Sequence, residues 1–223
     1  PCRTPRTRTK KNQETSGNQM PSNDFKLAVL VSGRGSNLQA IIDSIERGDL
    51  NARVSVVLSN VADATALKRA EKHEIETVFI DPTSCADKAD FDRRMIKILK
   101  ARSVDLVCLA GYMRILGNEV LQAFPRRIIN IHPSLLPAFP GLNPQKQAIE
   151  YGVKISGCTV HFVDDGIDTG PVILQATVPV YETDDEESLA QRILDQEHLL
   201  YPRAIQLITE DKLDLNGRIV TQK

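Results

Sequence analysis

The chain contains no Trp, its aromatic residues amount to 4%, and only four Cys and four His occur in 223 residues. Cys2, Cys85, Cys108 and Cys158 are scattered without CxxC spacing, which argues against a disulfide framework or a zinc site and for a reducing compartment. His73, His132, His161 and His198 likewise lack the HExxH spacing of a helical metal site. A formal net charge of -1 excludes a general affinity for nucleic acid or anionic membrane. No apolar run approaches the roughly 20 residues that a membrane helix needs. What remains, with 41% hydrophobic and 26% charged residues, is the composition of an ordinary soluble globular protein.

Residues 1–24 differ from everything after them. Arg3, Arg6, Arg8, Lys10 and Lys11 lie there among Thr, Ser, Asn and Gln, so this basic segment is expected to be a disordered tail. Its makeup resembles an organelle transit peptide without the amphipathic periodicity, and an upstream extension is the other reading. From Phe25 onward, β-rich runs at 26–32, 53–58, 77–80 and 105–110 alternate with helical segments at 37–47, 64–72, 88–102 and 118–123. Leu38, Ile41, Ile42 and Ile45 share one face of the first helix, which Ser36 or Asn37 would cap. Such alternation implies a Rossmann-like, mostly parallel open sheet with helices on both faces. Strands at 127–131, 159–163 and 172–178, a helix near 145–151 and a long helix over 186–208 suggest that the sheet ends in an antiparallel C-terminal extension. Residues 25–223 read as a single domain.

Ser32-Gly33-Arg34-Gly35-Ser36-Asn37 joins the first strand to the first helix, where backbone N–H groups and the helix dipole suit an anion. The sixth position of the glycine pattern is Leu38, and the second strand ends in Ser59-Asn60 with no carboxylate for a ribose hydroxyl. Both features disfavour a dinucleotide fingerprint, and no Gly-Lys-Ser/Thr makes it a P-loop. A plain helix-opening turn and a seat for one phosphate monoester both remain open.

Asn130-Ile131-His132-Pro133-Ser134-Leu135-Leu136-Pro137 is the most informative stretch. Two residues apart on extended backbone, Asn130 and His132 point to one side, offering a neutral hydrogen-bond donor and a titratable ring to a common point. A second polar cluster, Asp164-Asp165-Gly166-Ile167-Asp168-Thr169-Gly170-Pro171, reads as a loop whose carboxylates could orient a histidine, bind a cation or solubilise a turn. Its spacing does not match a calcium loop.

Together with 32–41, 109–116, Phe139-Pro140-Gly141-Leu142 and Gln196-Glu197-His198-Leu199-Leu200-Tyr201-Pro202, these motifs occur in the order that resembles the folate-dependent phosphoribosylglycinamide formyltransferase family. The resemblance covers about residues 26–220. It implies the formyltransferase fold, and transfer of the formyl group of 10-formyltetrahydrofolate to the amine of N1-(5-phosphoribosyl)glycinamide in purine synthesis, without a metal. Asn130, His132 and Asp168 match the catalytic trio. Gly35, Ser36 and Asn37 would hold the phosphate, and Leu194, Asp195, Gln196 and Glu197 the rest of that substrate. Folate would contact Met113, Arg114, Ile115, Leu116, Asn130, Asp164, Asp165, Gly166, Ile167 and Asp168, with Lys88 a further candidate.

The half up to about 125 would bind the nucleotide substrate, and the remainder would bind folate and carry the chemistry. Small molecules would be the substrates of a cytoplasmic monomer or homodimer, or of an organellar one if the tail is a transit peptide. Asp168 beside His132 would raise the imidazole pKa, so that His132 works as imidazolium. The chain departs from the family at Asn143-Pro144, where relatives carry His, and at Lys88, where some carry Arg. A formyltetrahydrofolate hydrolase, a methionyl-tRNA formyltransferase and a regulatory module that lost the chemistry are the competing readings. The tRNA enzyme would need a basic C-terminal extension to meet a phosphate backbone.

Overall fold

Leu27, Val29 and Val31 alternate with Ala28 and Leu30 along the first strand, and all five are fully buried. A strand apolar on both faces belongs inside a parallel sheet that helices cover on both sides. That is its position in this computed structural model, which describes residues 25–223; the expected disorder of 1–24 lies outside the described residues. Strands β1 (Lys26–Val31), β2 (Arg53–Ser59), β3 (Thr77–Phe79), β4 (Leu106–Leu109), β5 (Ile128–His132), β6 (Ile155–Phe162) and β7 (Val172–Pro179) form one sheet in the order β3-β2-β1-β4-β5-β6-β7. The pairs from β3 through β5 are parallel, whereas β5, β6 and β7 pair antiparallel.

One face of the sheet packs on α1 (Ser36–Glu46), α2 (Thr65–Lys72) and α6 (Glu186–Thr209) through Leu38, Ile41, Leu67, Tyr201 and Ile205. The other packs on α3 (Lys88–Ala101) and α4 (Asn118–Ala123) through Phe91, Met95, Leu99 and Val120. Helix α5 (Pro144–Tyr151) joins β6, β7 and α6 in a third cluster around Ala148, Cys158 and Ile193. The chain leaves β1 toward β2 and leaves β4 toward β5, so a topological switch lies between β1 and β4. Open α/β sheets bind ligands outside the carboxyl ends of such strands.

Helix α6 opens with Asp185 and Ser188 bonding reciprocally to each other's backbone N–H groups. Its buried stripe runs Leu189, Ile193, Glu197, Tyr201, Ile205, a four-residue repeat that lays one face along the sheet. Two buried polar groups interrupt that stripe, and both act as ties. The Tyr201 hydroxyl lies 2.9 Å from the Leu109 carbonyl and 3.2 Å from that of Ile129, at the ends of β4 and β5.

Several boundaries differ from the sequence reading. Helix α1 begins at Ser36, behind Gly35 at φ 73°, and no side chain caps it. Strand β6 starts at Ile155 rather than at 159, because β7 pairs along its whole length. A hairpin of β8 (Leu213–Asn216) and β9 (Ile219–Gln222) follows α6 and was not anticipated. Its apolar residues Leu213, Leu215 and Val220 lean on the core, but four-residue strands carry too little pattern to stand out.

Gly157 has no room for a side chain, since a Cβ there would run into the Ala176 carbonyl and press on Leu135. Gly157→Ala should lower the unfolding free energy by about 1–3 kcal/mol, read as a reduced urea midpoint at unchanged slope.

Candidate active site

The turn after β1 is fastened from several sides. Ser32 donates its amide to the Gly111 carbonyl (3.1 Å) and its hydroxyl to Asn60 (2.6 Å), and it accepts the Met113 amide (2.8 Å). The turn is thereby locked to the loop after β4. Among the described residues, the backbone N–H groups of Ser36, Asn37 and Leu38 meet no protein acceptor, as expected at an open helix N-terminus. Asn37 turns inward and gives its amide N–H to Glu197 (2.7 Å), while its buried Oδ1 has no partner. Glu197 is buried, and burial pushes its carboxyl up to about 7 although the Asn37 bond pulls the other way. Of the run 194–197, then, the structure brings Glu197 to the turn. Asp195 is exposed and accepts a bond from Gln191 (2.9 Å), because consecutive helical residues fan out around the axis.

At the carboxyl end of β5, Asn130 and His132 face the same side, and a carboxylate reaches both. Asp168 Oδ2 is 3.3 Å from His132 Nδ1, and its Oδ1 is 3.4 Å from the Asn130 amide nitrogen. The Gly141 amide donates to Oδ2 (2.8 Å). Asp168 holds φ 54°, a left-handed conformation that a short polar side chain tolerates. A fourth member escaped the sequence reading. His161 stands opposite Asn130 in the antiparallel register, with Nε2 3.3 Å from the Asn130 amide nitrogen and 3.6 Å from Asp168 Oδ1. Its Nδ1–H donates to the Phe162 carbonyl (2.8 Å). Only strand register reveals this neighbour; no local motif marks it.

Charge in the cluster runs against the expectation for His132. Burial pushes its pKa below the ordinary imidazole value, outweighing the Phe139 carbonyl and the Asp168 carboxylate, which pull it up; His161 adds to the depression. His132 Nε2–H donates to the Phe139 carbonyl (2.9 Å), so in the neutral ring the lone pair is on Nδ1, facing Asp168. Burial also pushes Asp168 upward, but the His161 bond and the Gly141 amide together hold it below its usual value. The resting site therefore pairs an ionised carboxylate with a neutral imidazole at neutral pH.

The segments expected to meet folate differ in what they present. Met113, Ile115 and Ile167 expose apolar side chains, at 67%, 63% and 57% of their surface. Arg114 instead lays its guanidinium over the Phe91 ring, 4.5 Å from the centroid, and Leu116 is buried. Asp164 holds its own loop, accepting from the Thr169 hydroxyl (2.6 Å) and the Gly166 amide (3.2 Å), while Asp165 is exposed. Lys88 opens α3, with its side chain beside Gly117. Among the described residues no group of three or more His, Cys, Asp and Glu is arranged to hold a metal ion.

A family model described as formyl transferase matches residues 25–205. The phosphoribosylglycinamide formyltransferase of Bacillus subtilis is 42% identical over 193 residues, covering 86% of this chain and 97% of that protein. The trifunctional purine biosynthetic protein adenosine-3 of Drosophila melanogaster is 45% identical over 88% of this chain, which spans only 15% of that longer relative. The crystal structure of glycinamide ribonucleotide transformylase 1 from Symbiobacterium toebii superposes with a TM-score of 0.89 at 50% identity, covering 93% of this chain and 99% of that one. With the Asn130–His132–Asp168 cluster at the carboxyl edge of a 3-2-1-4-5 sheet and relatives matched end to end, the chain belongs to the formyl transferase family, on its phosphoribosylglycinamide formyltransferase branch.

Proposed function

We propose that this chain transfers the formyl group of 10-formyltetrahydrofolate to the amine of N1-(5-phosphoribosyl)glycinamide, releasing the N-formyl product and tetrahydrofolate in purine synthesis. The observation that carries this reading is one carboxylate, Asp168, within 3.4 Å of both the Asn130 amide and the His132 ring. Gly35, Ser36 and Asn37 seat the acceptor's phosphate with backbone amides that meet no acceptor among the described residues. Glu197, beside Asn37, accepts from the acceptor's sugar hydroxyls or amine. Met113, Ile115 and Ile167 supply apolar surface for the folate ring system, with Lys88 at its acidic end. The two halves of the chain share the work, although Glu197 of the second half bonds Asn37 of the first. The same reading makes the enzyme a cytoplasmic monomer or homodimer.

The chemistry follows from the charge states. The unprotonated amine of the acceptor adds to the formyl carbon, and negative charge grows on the formyl oxygen. The Asn130 amide N–H that faces His161 in the free protein is the donor for that oxygen, and the bond to Asp168 keeps the amide in place as the charge forms. Neutral His132 takes up the proton that the amine sheds, at Nδ1, where the ionised Asp168 stabilises the resulting imidazolium. The imidazolium then returns the proton to the departing folate nitrogen as the carbon–nitrogen bond breaks. Asp168 serves this cycle by being ionised before it begins. Incubation with 10-formyltetrahydrofolate should give formyl transfer only when phosphoribosylglycinamide is present; equal formate release without it would assign a hydrolase.

Asn130→Ala and Asp168→Asn should each lower kcat by about 10²- to 10³-fold while unfolding stays cooperative. Near-normal turnover in either would remove that residue from the mechanism. Glu197 makes a separate prediction. Its folded pKa of about 7 lies above the ordinary carboxyl value of 4.5, so the stability it carries is complete below 4.5 and is lost as pH climbs through about 7. Glu197→Gln should match the parent chain near pH 4.5 and exceed its unfolding free energy by about 3 kcal/mol near pH 8, with a raised KM for the acceptor. Equal stability at both pH values would mean that the carboxyl titrates normally.

A further inference from the structure

In a trans peptide the C=O of one residue and the N–H of the next point in opposite directions within one plane. Whatever holds a carbonyl in the glycine turn therefore aims the following amide. The Gly33 carbonyl accepts from the Ala66 amide of α2 (3.1 Å), which turns the Arg34 N–H away from that helix. The Gly35 carbonyl accepts from Gln39 N–H (3.0 Å) inside α1, which turns the Ser36 N–H outward along the helix axis. Both ties are backbone to backbone. The peptide between them, Arg34–Gly35, is held by a side chain: Arg69 of α2 donates Nε–H to the Arg34 carbonyl (2.9 Å).

That peptide is the one most in need of a restraint. Gly35 sits at φ 73°, and a peptide next to glycine rotates at small steric cost, as interchange between turn types shows. Rotation would replace the Gly35 N–H by the Arg34 carbonyl oxygen, so that a donor facing the anion becomes an acceptor repelling it. Arg69 is itself oriented. Its Nη1 reaches Gln39 Oε1 (3.4 Å), and Gln39 Nε2 donates to Asp43 (2.8 Å). The side chain thus spans a groove of about 350 Å³ between α1, α2 and α6, which Ser36 also lines.

We infer that Arg69 is a positioning residue: it presets the Gly35 amide toward the acceptor's phosphate and so sets the preference for a phosphorylated over a dephosphorylated acceptor. This rests on the reading that the turn seats that phosphate. The test compares the parent chain and Arg69→Met with phosphoribosylglycinamide and with its dephosphorylated nucleoside, donor saturating. The parent should favour the phosphorylated acceptor by about 100-fold or more in kcat/KM, the worth of one or two charge-assisted bonds.

In Arg69→Met, KM for the phosphorylated acceptor should rise about 10-fold, with kcat changed less than about 2-fold and kcat/KM for the nucleoside unchanged. The loss should persist in about 0.5 M KCl, where the field of a surface cation is screened. An unchanged KM, an equal loss on both acceptors, or a loss that vanishes in salt would each overturn the role of Arg69. A parent enzyme that does not discriminate between the acceptors would instead overturn the phosphate reading beneath it.

Discussion

Asp168 presents an ionised carboxylate at a place where its side chain is only 13% exposed, and three separate segments have to arrange themselves around it. Removing a carboxylate from water costs several kcal/mol unless donors replace the lost hydration. Here they come from the Asn130 amide on β5 and the Gly141 amide in the loop beyond β5, with the His132 and His161 rings on β5 and β6 within 3.6 Å of its oxygens. The demand fixes the antiparallel register, because sliding β6 by one residue would turn His161 to the far face of the sheet. It also folds the 139–141 segment over the cluster, where the Phe139 carbonyl takes the ring N–H of His132.

From that carboxylate a chain of ties leads back to the glycine turn. The β4–β5 edge carrying Asn130 is braced by Tyr201, whose hydroxyl lies between the Leu109 and Ile129 carbonyls. One turn earlier on the same helix, Glu197 holds Asn37 at the start of α1. Ser32 then joins the turn to Gly111 and Met113 in the loop after β4. Helix α6 thus spans both halves of the site with two buried polar groups on one stripe. In the proposed reaction it sets the distance across which an amine bound through its phosphate must reach the cluster. The cost is visible at Glu197, whose carboxyl burial pushes up to about 7. A buried carboxyl with a perturbed pKa is what the proposed binding role of Glu197 would leave in the fold.

Much of this was legible in the chain. The alternating runs predicted the parallel sheet, Gly33 and Gly35 marked the turn, and two-residue spacing put Asn130 and His132 on one side. What was not legible depends on partners distant in sequence. His161 joins the cluster through strand pairing, which its own neighbourhood does not encode. The His132 charge state was misjudged because proximity of Asp168 was considered without the burial that opposes it. Arg114, in a segment expected to meet folate, stacks on Phe91 of a helix more than twenty residues earlier in the sequence. The β8–β9 hairpin is too short for its alternation to register.

The most direct test of the charge arrangement is a nitrogen-15 NMR titration of the histidine rings in the ligand-free protein. The charge arrangement predicts that neutral His132 carries its proton on Nε2 and titrates below the ordinary imidazole value. It further predicts that Asp168→Asn moves this midpoint lower still, because the carboxylate is a charge that favours the imidazolium. A midpoint above 7, a proton on Nδ1 of the neutral ring, or no response to Asp168→Asn would contradict the pairing of an ionised carboxylate with a neutral imidazole.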